Sequence, residues 1–141
     1  MKRLLVDTNV ALDVLLDRQP HSQASVAIWA SAETGQCEGF LAAHAITTIN
    51  YLLRRELGTV KARQMIALIL VVFRVATVDG SVIEQALRSP ITDFEDAVTV
   101  AAALASECEF IVTRDPKGFR GSPVRALGPK AVLPILAAEY P

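Results

Sequence analysis

Arg3-Leu4-Leu5-Val6-Asp7-Thr8-Asn9 is the stretch from which the rest of the chain can be read. Its apolar run is too short for a helix and halts abruptly on an acid. Asp, Thr and Asn are all good helix-capping types, so a strand ending at Val6 and a helix running to about Leu16 are predicted. Outward from there the same alternation repeats. A helix is predicted from Pro20 to about Glu33, ended by Gly35, then a strand over Glu38–Ala42 and a helix from His44 to Leu57 closed by Gly58. Val60–Phe73 reads as a helix, Arg74–Val78 as a strand, Gly80–Arg88 as a short helix, and Thr92 opens a long helix ending near Cys108. Phe110–Thr113 is a strand, Asp115-Pro116-Lys117-Gly118 a turn, Val124–Leu127 a last strand, and a short helix lies between Pro129 and Pro141. Short apolar strands alternating with longer helices predict an α/β fold with a mostly parallel central sheet.

Size and composition narrow the function classes. The 141 residues make a single domain, 1–141, with 52% hydrophobic and 21% charged residues, which excludes disorder. The longest apolar run, Met65 to Phe73, is about half of the ~18–20 residues a membrane span needs, so no membrane role is expected. The N-terminus meets Asp7 after three apolar residues and lacks a secretory core, so a cytoplasmic location is expected. Cys37 and Cys108 have no metal-type spacing and read as buried thiols, while His21 and His44 lack zinc-ligand partners. Ser81, Ser89 and Ser122 lack the glycines of a nucleophile elbow, and there is no Gly-rich phosphate loop. A net charge of −1 argues against a generally basic nucleic-acid coat.

In parallel α/β sheets the ligand crevice lies beyond the carboxyl ends of the strands. Three of the four such places here carry an aspartate: Asp7, Asp79 and Asp115. Each has an ordinary reading as a helix cap or turn residue, but Thr8 and Asn9 would cap as well as Asp7. Thr92 and Glu95 have capping-box spacing, which accounts for acids in that first turn. It does not account for Asp96. Asp93, Asp96, Ala97, Val100 and Leu104 share one stripe, Val98, Ala101, Ala102 and Ala105 lie opposite, and a helix so apolar should be buried. A carboxylate there costs several kcal/mol unless it is paired or coordinates a metal. Asp7, Asp96 and Asp115 converging without a dedicated cation point to a hard divalent ion, Mg²⁺ or Mn²⁺, and to phosphodiester hydrolysis.

The strings Val6-Asp7-Thr8-Asn9-Val10, Asp93-Phe94-Glu95-Asp96-Ala97 and Val112-Thr113-Arg114-Asp115, in that order and spacing, resemble the PIN domain family, closest to its small VapC-toxin-like bacterial members. The resemblance runs from about Arg3 to Phe119 and takes in Ile46–Leu53. It implies a three-layer α/β/α fold and a Mg²⁺- or Mn²⁺-dependent ribonuclease acting on RNA, often dimeric and often paired with an antitoxin protein. By matching positions, Asp7, Asp96 and Asp115 would bind the metal, Asp93 would be an accessory acid at the rim, and Thr8, Asn9 and Thr113 would orient the others. One position departs: PIN nucleases usually carry a further acid where this chain has Asn50. An amide oxygen still ligates a hard cation, but the site loses a negative charge that Glu95 or Asp93 is placed to replace. The alternative is a catalytically weak PIN domain that binds RNA or a protein.

Basic residues fall in two groups. Arg54, Arg55, Lys61 and Arg63 read equally as a solvated face. Arg114, Lys117, Arg120 and Arg125 follow Asp115 directly, so Arg114, Lys117 and Arg120 are the candidates for holding RNA phosphates. Phe119 is the one candidate stacking ring nearby, with core packing as its other reading, and Trp29 and the Met65–Phe73 run are expected in the core or in a homodimer contact. A phosphoacceptor receiver-like domain would use similar strand-end aspartates, but no lysine follows a late strand in the required place.

Overall fold

Strand β1 (Lys2–Val6) sends Leu4 and Val6 to one face of the sheet and Leu5 to the other, the period of two that a pleated strand imposes. All three are buried because the sheet is covered on both sides. The same split holds in β2 (Cys37–Ala42), where Leu41 opposes Phe40 and Ala42, and in β4 (Phe110–Val112), where Ile111 opposes Phe110 and Val112. A computed structural model describes residues 1–139. Tyr140 and Pro141, placed by the sequence pattern at the end of the last helix, lie outside the described residues.

With β3 (Arg74–Ala76) and β5 (Arg125–Leu127) the strands form one sheet in the order β3-β2-β1-β4-β5, and every pairing is parallel. Helices α5 (Gly80–Leu87) and α6 (Phe94–Ala105) cover the Leu5 face. Helices α1 (Thr8–Leu15), α2 (Ser22–Glu33), α3 (Ala43–Leu57), α4 (Thr59–Val72) and α7 (Pro129–Glu139) supply the opposite layer. The result is a three-layer α/β/α architecture. Fully buried Leu4, Leu41 and Ile111 each contribute about 1.5–3 kcal/mol of transfer free energy.

Two boundaries differ from the sequence pattern for a physical reason. Helix α6 starts at Phe94, not Thr92, because Asp93 takes the capping role: its Oδ1 accepts the Asp96 N–H at 3.0 Å. The helix also stops at Ala105, short of Cys108, where Glu107 adopts a left-handed φ of 56° and turns the chain into β4. Phe119 is buried against the α5–α6 layer, so the core reading of that ring holds. Cys37 and Cys108 are both buried. The Met65–Phe73 run splits: Ile69 and Phe73 are buried, Trp29 meets Phe73 edge-on at 4.9 Å, and Leu68, Leu70 and Val71 face solvent. Among the described residues no helix is long and apolar enough to cross a membrane.

The sheet order reverses between β1 and β4: the chain leaves β1 toward β2 on one side and returns to β4 on the other. A crevice opens at such a switch point, beyond the carboxyl ends of the two strands. Close packing elsewhere in the sheet is strict. A Cβ on Gly39 would stand 2.6 and 2.7 Å from two ring carbons of Phe73 and 3.1 Å from Ala32 Cβ. Gly39→Ala is therefore expected to destabilise the fold by about 1–3 kcal/mol. Urea melts should show that loss, and adding Phe73→Leu should return part of it.

Candidate metal centre

Asp7 is held at three points where the sheet reverses. Its N–H donates to the Val112 carbonyl at 2.9 Å, extending the β1–β4 ladder past the strand end. Its Oδ1 accepts the Thr8 N–H at 2.9 Å, capping α1, and its Oδ2 accepts the Thr113 hydroxyl at 2.9 Å. Thr113 is fully buried, and its oxygen in turn accepts the Asp115 N–H at 3.1 Å. One hydroxyl thus ties the residue after β1 to the loop after β4. Asp115 itself is exposed, and its carboxylate caps nothing in the 3-10 turn Pro116–Phe119 that follows.

Asp96 reaches the same place from α6. A Cβ on Gly118 would lie 3.3 Å from Asp96 Oδ2 and 3.4 Å from Asp115 Oδ2. The two oxygens therefore stand no farther apart than those distances combined, with Gly118 leaving the space between them open. Burial pushes the Asp96 carboxyl up to about 6, and the negative charges of Asp7, Asp93, Glu95 and Asp115 push in the same direction. Asp7 is also raised: burial outweighs its hydrogen bonds from Thr113 and Thr8 and the nearby His44, and Asp115 adds repulsion. Among the described residues Asp7, Asp96 and Asp115 take part in no ion pair within 4.0 Å. Asp79, the third strand-end aspartate, has its ordinary role, with Oδ1 accepting the Val82 N–H at 3.0 Å to cap α5.

The remaining expected residues divide. Asp93 and Glu95 are exposed at the rim. Asn9 Oδ1 accepts the Arg114 N–H at 3.4 Å, linking α1 to the loop after β4. Asn50 is half-buried on α3 and makes no side-chain hydrogen bond to these acids among the described residues. Lys117 and Arg120 line a recess of about 460 Å³ together with Gly118, Asp93 and Asp96. Arg114 is engaged elsewhere: its Nε meets Asp13 Oδ2 at 2.8 Å. Arg54 and Arg55 lie on solvent-facing positions of α3, beside Tyr51 and Glu56.

Asp13 carries no signal in the sequence, and His44 is weighed there only as a zinc ligand. Asp13 is completely buried, with Arg18 Nε at 3.1 Å on one oxygen and Arg114 Nε on the other. An acid in the middle of an amphipathic helix carries no local mark of such a partnership. His44 follows the end of β2 and places Nε2 at 3.4 Å from Thr99 Oγ1. The Thr99 hydroxyl donates to the Glu95 carbonyl, so its oxygen can only accept from the ring. His44 Nδ1 is then left buried without a partner. The zinc-ligand test applied to the sequence could not register it.

A model of the PIN domain family matches residues 3–117. The chain belongs to the PIN domain family. No curated protein matches it in sequence. Among solved structures, it is similar to VapC20 of Mycobacterium tuberculosis, a sarcin–ricin loop cleaving toxin, with 20% identity and a TM-score of 0.67 over 82% of this chain and 92% of that one. VapBC2 of Rickettsia felis, bound to a DNA fragment from its promoter, aligns with a TM-score of 0.70 at 10% identity, covering 89% and 98%. DNA-bound VapBC of Salmonella typhimurium aligns at 0.67 and 13%, covering 92% and 99%. At these identities the likeness is one of fold.

The donor set of this PIN domain suits a hard cation. Its acids offer oxygen only, and among the described residues they lie together with no ion pair to any of them. Among the described residues no three His, Cys, Asp or Glu side chains form a ready-made cage. Mg²⁺ does not require one, because it keeps several waters and takes one or two carboxylates directly.

The raised Asp96 value sets a pH dependence. Folded Asp96 holds its proton up to about 6, the unfolded chain only to its ordinary value of 3.8. Acid therefore favours the fold across that window, and the penalty of the ionised group is fully present above about 6. Asp96→Asn should raise the melting temperature of the metal-free PIN domain at pH 7.5 and lose that advantage at pH values below the window. Solvent screening limits the gain to about 1 kcal/mol or less. Thermal melts of both proteins across pH check the sign.

Proposed function

We propose that this PIN domain protein is a divalent-metal-dependent endoribonuclease, the toxin member of a VapC-like toxin–antitoxin pair. The observation that carries the reading is the set of uncompensated acids at the sheet's switch point, where Asp96 is pushed up to about 6 by burial and like charge. Membership of the PIN family and the fold shared with VapC toxins support it. Asp7, Asp96 and Asp115 hold the ion, with Asp93 and Glu95 adding charge at the rim. A Mg²⁺ or Mn²⁺ bound by these residues would supply positive charge for the phosphodiester oxygens and would lower the pKa of a water.

The chain's own residues position the reaction. The Thr113 hydroxyl and Thr8 N–H fix the Asp7 carboxylate in one orientation before any ligand arrives. Lys117 and Arg120, beside Asp96 in the open recess, hold RNA phosphates. Asn50 leaves the site one charge poorer than the usual PIN arrangement, which favours weak metal affinity over loss of function.

The partners proposed with this reading are an RNA substrate, an antitoxin protein and a second copy of the chain, in the cytoplasm. On α4, Val60, Leu68 and Val71 recur at helical spacing and are 73%, 57% and 83% exposed, which supports that stripe as the candidate homodimer contact.

Calorimetry with Mn²⁺ tests the core of this reading. The wild type should bind and Asp96→Asn should not. Thr113→Val should lower the affinity by about 10–100-fold while leaving the acids in place. Asn50→Glu should raise metal-dependent RNA cleavage. No Mn²⁺ binding by the wild type at millimolar metal would leave the RNA- or protein-binding alternative in its place.

A further inference from the structure

A second recess lies beyond the carboxyl ends of β4 and β5, lined by Arg114, which does not line the recess beside Asp96. It measures about 340 Å³, and its walls include His21, Ser25, Arg114, Gly128, Pro129 and Lys130. No acid lines it. The carboxylate that two of its lining residues, Arg114 and Ser25, contact is Asp13, wholly buried and shared between Arg114 and Arg18. That triad keeps one positive charge in surplus, and Lys130 adds another at the mouth.

Arg114 is braced as a binding group. Its Nε is fixed on Asp13 at 2.8 Å and its main-chain N–H on Asn9 Oδ1. Among the described residues neither of its Nη groups has a partner, so their donors remain to be used. Ser25, which hydrogen-bonds Asp13 Oδ2 at 3.4 Å, closes the back of the arrangement. Two helices also begin at this recess: α2, whose N-terminus no side chain caps, and α7, which opens on Pro129 and Lys130. Their positive ends add to the field of the side chains.

We propose that this recess is a phosphate subsite that takes a backbone phosphate of the RNA strand, next to the phosphodiester held at the carboxylates. It rests on the nuclease reading for the strand's identity. Arg114 and Asp115 are consecutive residues, so the recess and the acids share a wall. The buried Asp13 pair thus converts the arginine next to Asp115 in the chain into a fixed oxyanion clamp that lines this recess and not the one beside Asp96.

The test uses ¹⁵N-labelled protein in EDTA, titrated separately with inorganic phosphate and with a short single-stranded RNA, so that neither metal nor turnover is needed. The amide signals of Arg114, Gly128 and Lys130 should move with both probes. Lys130→Ala, on an exposed side chain, should weaken RNA binding and reduce the slope of log affinity against log salt by about 0.7, while Lys130→Arg should keep both. Shifts confined to Lys117 and Arg120 with an unchanged slope in Lys130→Ala would overturn the proposal. So would shifts with phosphate alone, which would leave a small-anion site off the RNA path. Binding here by a protein that cleaves no RNA with Mn²⁺ supports the subsite and removes the nuclease reading instead.

Discussion

The hydroxyl of Thr113 is the point on which the site depends. It donates a hydrogen bond to Asp7 and accepts one from the Asp115 N–H, with no solvent contact of its own. Those two bonds join the ends of β1 and β4, the strands between which the sheet order reverses. The parallel pairing of Leu4, Leu5 and Val6 with Phe110, Ile111 and Val112 sets the register that brings Thr113 opposite Asp7. A slip of one residue would turn Thr113 away and exchange the buried faces of the strand. Packing of the two helical layers and placement of the carboxylates are therefore the same constraint.

The protein treats its buried acids in two opposite ways. Asp13 is neutralised twice over, by Arg18 and Arg114, and lies entirely out of solvent. Asp7 and Asp96 are left beside other acids, with burial and repulsion raising both. The first arrangement is structural, since removing a partner from a buried charge is costly. The second is a store of unfavourable electrostatics that a bound cation would relieve, and stored destabilisation of this sort is a mark of functional sites. Arg114 stands between the two regimes. Its charge is drawn to Asp13, which keeps it from cancelling Asp115 next to it in the chain.

Much of the fold was legible because its signals are local. Every strand and helix expected from the apolar runs is present, with some ends displaced by one to a few residues. Asp93 took the role assigned to Thr92 because its carboxylate, not the threonine hydroxyl, reaches the Asp96 N–H. The convergence of Asp7, Asp96 and Asp115 on one crevice could be anticipated as well, since the carboxyl ends of parallel strands share an edge. Their chain order and spacing matched the family to which the chain belongs.

What the sequence by itself determined was the alternation of elements, the buried character of α6 and the set of acids at the strand ends, all carried by spacing within a few residues. Tertiary structure alone decided the strand order, the Thr113 link, the burial of Asp13 and the direction of the Arg114 side chain. Each of these depends on groups far apart in the chain, Asp13 and Arg114 among them, meeting across packed layers. The energy of such a meeting lies in desolvation and geometry, which leave no periodic trace in the residues on either side.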